Sequence, residues 1–170
     1  PIGLWILRQS CETLKEWGEN PKTSALKLAV NISSRQLSQI DFVQQVRDII
    51  QETAINPKLL KLEITESMVL DNIKEAIKKM QAIQTLGVEF SMDDFGTGYS
   101  SLAYIQKLPL EQIKIDKSFV NNLTVNKGDA AIVRTILALA KSLDLTVVAE
   151  GVENQEQFEH LCAAGCVFFQ

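Results

Sequence analysis

Six short apolar runs of this 170-residue chain each close on one polar residue: LKLAVN on Asn31, LLKLE on Glu63, VEFSMD on Asp93, QIK on Lys114, TVVAE on Glu150 and CVFFQ on Gln170. With Asp94 beside Asp93, the set Asn31, Glu63, Asp93, Asp94 and Glu150 offers oxygen donors only. Such donors suit hard cations, Mg²⁺ or Mn²⁺, rather than zinc. The adjacent aspartates allow one carboxylate to bridge two ions, and two ions ~3.5–4 Å apart are a common device for phosphodiester hydrolysis. They lower the pKa of a bridging water and neutralise charge at phosphorus. Lys114 would add a fixed positive charge that holds that water or a phosphate oxygen. The sole histidine, His160, belongs to a helical stretch apart from this set.

Something must carry these residues to one place. The run ends are 32, 30, 21, 36 and 20 residues apart, with amphipathic helical patterns between them, so the chain reads as successive βα units. Polar residues at the C-terminal ends of many parallel strands point to an α/β fold of the (β/α)8 barrel type with its site on that face. Alternation supports this, because successive residues of a strand point to opposite faces. Leu26, Leu28 and Val30 oppose Ala29 and Asn31, and Leu62 and Ile64 oppose Glu63. Val88, Phe90 and Met92 oppose Ser91 and Asp93, Ile113 and Ile115 oppose Lys114, and Val147 and Ala149 oppose Val148 and Glu150. The apolar set should meet the helices and the polar set should converge. CVFFQ is apolar on both parities and does not test the pattern.

Helical stripes fill the intervals. Leu4, Leu7, Cys11 and Leu14 mark a helix over about 3–18, and Phe42, Val46, Ile49 and Ile50 a second. A third carries Ile73, Ile77 and Met80, with Asp71 as its expected N-cap and Gly87 at its end. Ile132, Ile136, Leu139 and Leu143 outline another. Asn154 and Gln157 have capping-box spacing before the helix of Phe158 and Leu161, which should stop at Gly165.

Composition is that of one globular α/β unit, 46% hydrophobic and 22% charged, here a single domain over residues 1–170. A complete barrel typically needs ~250 residues. With six strands counted, an opening Pro1 and an end inside the sixth run, the expectation is a segment lacking two N-terminal strands and the C-terminal helix. The net charge of −4 argues against general affinity for polymeric nucleic acid, which needs clustered Lys and Arg. No apolar stretch approaches the ~20 residues of a membrane span and no signal peptide is visible, so cytoplasmic placement and no membrane contact are expected for this segment. Cys11, Cys162 and Cys166 lack a CxxC or a companion histidine and read as buried free thiols.

Bland readings compete at each position. A lone carboxylate after a strand often caps a helix or is solvated, a reading that applies to Glu66 and Glu153. Lys114 could pair with Asp116 or Glu150. Asp94-Phe95-Gly96 lacks the lysine and catalytic loop of a kinase, and Gly96-Thr97-Gly98 is no dinucleotide fingerprint, since Ser101 stands where the third glycine would be. It reads as a mobile loop. A bland cause for all six run ends together is much weaker than for any one.

The strings Val30-Asn31-Ile32-Ser33, Glu63-Ile64-Thr65-Glu66, Asp93-Asp94-Phe95-Gly96-Thr97-Gly98-Tyr99-Ser100-Ser101, Lys114-Ile115-Asp116 and Glu150-Gly151-Val152-Glu153 stand in the order and spacing of the EAL domain, which the chain resembles throughout. That resemblance implies a barrel that hydrolyses cyclic di-GMP to linear pGpG with two Mg²⁺ or Mn²⁺ ions, Ca²⁺ being inhibitory. It implies Asn31, Glu63 and Asp93 as metal ligands with Asp93 bridging, and Asp94 and Glu150 serving the second ion. Lys114 would position the water and Gln170 would line the pocket. Glu66 would anchor the loop from Asp93 to Ser101, and Glu153 would support the site. The loop Phe95, Gly96, Thr97, Gly98, Tyr99, Ser100, Ser101 resembles the segment that couples metal binding to dimerisation, so a homodimer is implied; its glycines permit the positive φ and hinge motion this needs. GGDEF or sensory domains, or a membrane anchor, would lie outside this segment.

The Glu-Ala-Leu signature is absent from the sequence. Its glutamate is a metal ligand in the family and should precede Pro1. Loss of a group that merely orients a ligand already costs ~10–100-fold, so the 170 residues alone are expected to be inactive, with unclosed sheet edges that invite swapping. The alternative is a catalytically silent cyclic di-GMP receptor. A barrel enzyme acting on sugar phosphates without two metals would need a phosphate-binding Gly loop near the last strands.

Overall fold

A computed structural model of the protein describes residues 2–70, 72–98 and 102–170. Among them the element order is α1 (Ile2–Gly18), β1 (Leu28–Asn31), α2 (Ser34–Ser38), α3 (Phe42–Thr53), β2 (Leu60–Thr65), α4 (Glu66–Leu70), α5 (Ile73–Gln84) and β3 (Glu89–Phe95). There follow α6 (Leu102–Ile105), β4 (Gln112–Ile115), α7 (Lys117–Asn121), α8 (Lys127–Ser142), β5 (Thr146–Ala149), α9 (Gln155–Ala163) and β6 (Phe168–Phe169). The six strands form one sheet in chain order. Its registered pairs β1-β2, β3-β4, β4-β5 and β5-β6 are parallel. Parallel neighbours need crossover connections, which the helices supply. This is the strand order of a partial (β/α)8-type barrel, as the run ends predict.

By contact the chain divides into two compact units, residues 1–64, 68–90 and 107–109 in one and 65–67, 91–106 and 110–170 in the other. In the first, α1 buries Leu7, Cys11 and Leu14, and α3 buries Phe42, Val46 and Ile49. Leu60, Leu62, Ile64, Met80, Val88 and Phe90 complete that core. The second buries Met92, Ile113, Ile115, Val133, Ile136, Ala149 and Leu161. Each of the larger aliphatic and aromatic side chains among them contributes on the order of 1.5–3 kcal/mol through burial.

The strand alternation holds where strands are long enough to express it. Leu26 departs from it and is exposed, because its N–H closes a turn on the Thr23 carbonyl and the ladder starts only at Leu28. Helix α8 buries Val133, Ile136, Leu137 and Ala140, leaving the expected Ile132 exposed. Two apolar stripes overlap on this helix, and the one that packs on the strands is turned from the one that runs to Leu143. Helix α5 takes Asn72 as N-cap, one residue after the expected Asp71, which lies outside the described residues.

Asn154 and Gln157 form the expected reciprocal capping box, and the ring of Phe158 lies 4.9 Å from that of Phe169. All three cysteines are free; Cys11 and Cys166 are buried, but Cys162 is exposed because it falls on the outer side of α9. The short helices α2, α4, α6 and α7 were not anticipated, since four or five residues cannot show a helical stripe.

Candidate active site

The β3-β4 ladder is irregular where the chemistry lies. Met92 registers with Ile113 and Phe95 with Ile115, so Asp93 and Asp94 together oppose the single residue Lys114. This is a β-bulge, and Asp94 absorbs it with φ +52°, in the left-handed region that a non-glycine residue adopts only when its surroundings hold it there. The extra residue resets the alternation. Phe95 returns to the core, and Asp94 joins the face that strict alternation would deny it.

As a result carboxylate oxygens of Asp93, Asp94 and Glu150 lie within 4.8 Å of one another. The Lys114 ammonium lies 3.2 Å from Asp93 Oδ1 and 2.5 Å from Glu150 Oε1, and its side chain is only 7% exposed. Of the bland pairings, Glu150 is realised and Asp93 replaces Asp116. The ammonium meets two carboxylates of a cluster of three. Burial first, then the charge of Asp93, holds the Asp94 carboxyl above its ordinary range, with Asp116 and Glu150 adding to the effect.

Asp116 was missed as a participant. Burial alone would raise its carboxyl, but the hydroxyl and backbone N–H of Ser118, with the neighbouring Asp94 and Lys117, outweigh it and bring it below the usual range. The two carboxyls are thus pushed in opposite directions, Asp94 up and Asp116 down. Asp-x-Ser directly after a strand, the N-cap spacing of α7, was the available signal.

Glu66 opens α4 and is 4% exposed. Its Oε2 accepts hydrogen bonds from the backbone N–H groups of Gly96 and Gly98, both at 3.3 Å. Backbone conformation favours glycine at the first, and the close approach of Glu66 favours it at the second. Gly96 has φ +98°, and a Cβ on Gly98 would fall 2.8 Å from the Glu66 carboxyl carbon. The Thr97 hydroxyl donates to the Asp94 carbonyl at 2.8 Å. The remaining loop residues Tyr99, Ser100 and Ser101 lie outside the described residues.

In the other unit Asn31 registers with Glu63 across β1 and β2, and the Ile32 N–H donates to the Glu63 carbonyl at 2.9 Å. Glu63 is 7% exposed and Asn31 is exposed. Glu153 and Gln170 are exposed as well. The Glu153 N–H donates to Gln157, and the Gln170 backbone bonds to Ala149 and Val152. An open groove of about 840 Å³ between α8, the start of β5 and the end of α9 contains none of the acidic cluster.

Relatives match along nearly the whole chain. The bifunctional diguanylate cyclase/cyclic di-GMP phosphodiesterase MucR of Pseudomonas aeruginosa is 39% identical over 165 residues, 97% of this chain and 24% of its own length. The cyclic di-GMP phosphodiesterase NbdA of the same organism is 37% identical over 166 residues, 98% of this chain and 21% of its own length. This chain therefore spans about a quarter or less of these curated relatives.

Among solved structures, the PaMucR phosphodiesterase in complex with cyclic di-GMP superposes with a TM-score of 0.95 at 38% identity, over 99% of this chain and 68% of that one. The calcium and cyclic di-GMP complex of Klebsiella pneumoniae BlrP1 gives 0.83 at 28%, over 96% and 42%. The family match runs over residues 1–170, and the chain belongs to the EAL domain family.

Proposed function

We propose that this chain supplies most of the active site of a metal-dependent phosphodiesterase that opens cyclic di-GMP to linear pGpG. The observation that carries the reading is the bulged Asp93-Asp94 pair, which with Glu150 sets three carboxylates against the one ammonium of Lys114. Oxygen-only donors with a formal excess of two negative charges fit hard divalent cations, Mg²⁺ or Mn²⁺. Bound divalent cations would acidify a water and neutralise charge on the phosphodiester.

The protein's own groups do the rest. Asp93, Asp94 and Glu150, with Asn31 and Glu63, would hold two ions, Asp93 bridging them. Lys114, fixed by its two carboxylate partners, would orient the attacking water or a phosphate oxygen without reorganising. Glu66 would keep the loop after Asp94 in its bulged form, with Glu153 supporting the site and Gln170 lining the pocket. Calcium would occupy the site without sustaining turnover. A homodimer coupled through the loop at residues 95–101 and a cytoplasmic setting belong to the same reading. No helix among the described residues is long and apolar enough to cross a membrane.

These 170 residues contain no Glu-Ala-Leu string, so the segment alone is proposed to be inactive, and the test uses protein extended at its N-terminus. Hydrolysis of cyclic di-GMP is followed with and without Mn²⁺, beside binding in Ca²⁺ or EDTA. Metal-dependent release of pGpG is expected. Binding without turnover would move the chain to the receptor class, and neither binding nor turnover would overturn the substrate.

A further inference from the structure

Helix α7 begins beside the bulge. Three residues after its N-cap, Asp116, the half-buried Phe119 turns its ring toward Gly96, two residues after Asp94. A Cβ at Gly96 would lie 3.0 Å from Phe119 Cε2 and 3.2 Å from Ile136 Cδ1 of α8. The backbone at Gly96 therefore rests directly on an apolar floor, while Glu66 grips its N–H.

We infer that Phe119 is a positioning residue for the acidic cluster, acting through Gly96 to keep Asp94 in its left-handed conformation. This rests on the proposed phosphodiesterase reading for its link to function. Left-handed backbone at a non-glycine residue persists only where the surroundings over-determine it. Hydrogen bonds to Glu66 and from the Thr97 hydroxyl hold the turn by its polar groups, and Phe119 closes the space into which it could relax. A bulge relaxed to extended strand would send the Asp94 carboxylate to the opposite face by simple alternation. The cation site would then lose one of its three carboxylates.

The test uses the N-terminally extended protein and two readouts that do not require turnover, Mn²⁺ affinity by calorimetry and amide hydrogen exchange of Gly96 and Gly98 without metal. Phe119→Ala should weaken Mn²⁺ about 10-fold, the low end for groups that orient metal ligands, and speed both exchanges. Val120→Ala, at a fully buried neighbour in the same helix, should lower thermal stability without either effect.

Phe119→Ala indistinguishable from Val120→Ala in both readouts would overturn the inference. Wild-type protein that binds Mn²⁺ but leaves cyclic di-GMP intact would overturn the phosphodiesterase reading instead and leave this one standing.

Discussion

Strand β3 begins on Glu89 and carries Asp93 four residues later, and the charged groups gathered by these two residues differ in stoichiometry. Glu89, in the first unit, meets two lysines: Lys27 at 2.5 Å and Lys61 at 3.8 Å. Cations outnumber the carboxylate there, and the three groups satisfy one another. Asp93, in the second unit, clusters with Asp94 and Glu150, and Lys114 is the cation that the described ion pairs bring to them. An ion pair that closes on itself orders the fold and asks for nothing further. A cluster with surplus carboxylate charge, held by a strained backbone, is stabilised by an added cation. Net charge at the cluster, rather than the presence of ion pairs, separates the scaffold from the candidate site.

The largest expected effect is at the ligands. In N-terminally extended protein, Asp93→Ala or Glu63→Ala should abolish cyclic di-GMP hydrolysis, by more than the ~100-fold that a merely orienting group can account for. Full turnover with unchanged Mg²⁺ dependence in either variant would remove the two-metal assignment.

Lys114→Met sharpens the comparison. Turnover should fall ~10²–10³-fold, as when an electrostatic stabiliser is lost, while Mn²⁺ affinity holds or rises because the surplus negative charge grows. A drop in Mn²⁺ affinity would mean that Lys114 organises the ligands and that charge excess is not what attracts the ion.

Glu89→Gln should act in the opposite sense, lowering thermal stability by about 1–2 kcal/mol for a partly exposed pair network and leaving Mn²⁺ affinity unchanged. Altered metal binding in this variant would dissolve the distinction between the two clusters.

The smallest effect is on pH. Asp94 holds its proton more tightly folded than unfolded, so without metal its contribution to stability is lost as pH rises from its unfolded value of 3.8 through its raised folded value. Below the raised folded value the proton competes with a cation for the carboxylate. The rise in Tm caused by Mn²⁺ should therefore be larger at pH 7 than at pH 4, by a few degrees. An equal rise at both would exclude Asp94 as a ligand.

Legibility followed the ratio of length to period. Strands β2, β4 and β5 showed their alternation because side-chain parity repeats every two residues, and α1 and α3 their stripes because each spans several turns. The capping box at Asn154 was readable for the same reason in miniature, two side chains at a fixed offset. Helix α8 carried two plausible stripes, and only packing against the strands chose Val133 over Ile132. Glu66 read equally well as a cap or an anchor, and its partners Gly96 and Gly98 stand 30 and 32 residues away. The bulge left one trace, apolar residues at 88, 90, 92 and then 95 instead of 94.

From the residues alone came the succession of βα units, the oxygen-only donor set and the strand ends on which it stands, because periodicity and residue type are local properties. Tertiary structure decided that Asp94 turns toward Asp93 and Glu150, that Lys114 answers those two carboxylates rather than Asp116, and that Asp116 takes part at all. Those outcomes depend on the β3-β4 register and on groups brought in from α4 and α7. A bulge is a mismatch between two strands, and one strand's sequence cannot contain it.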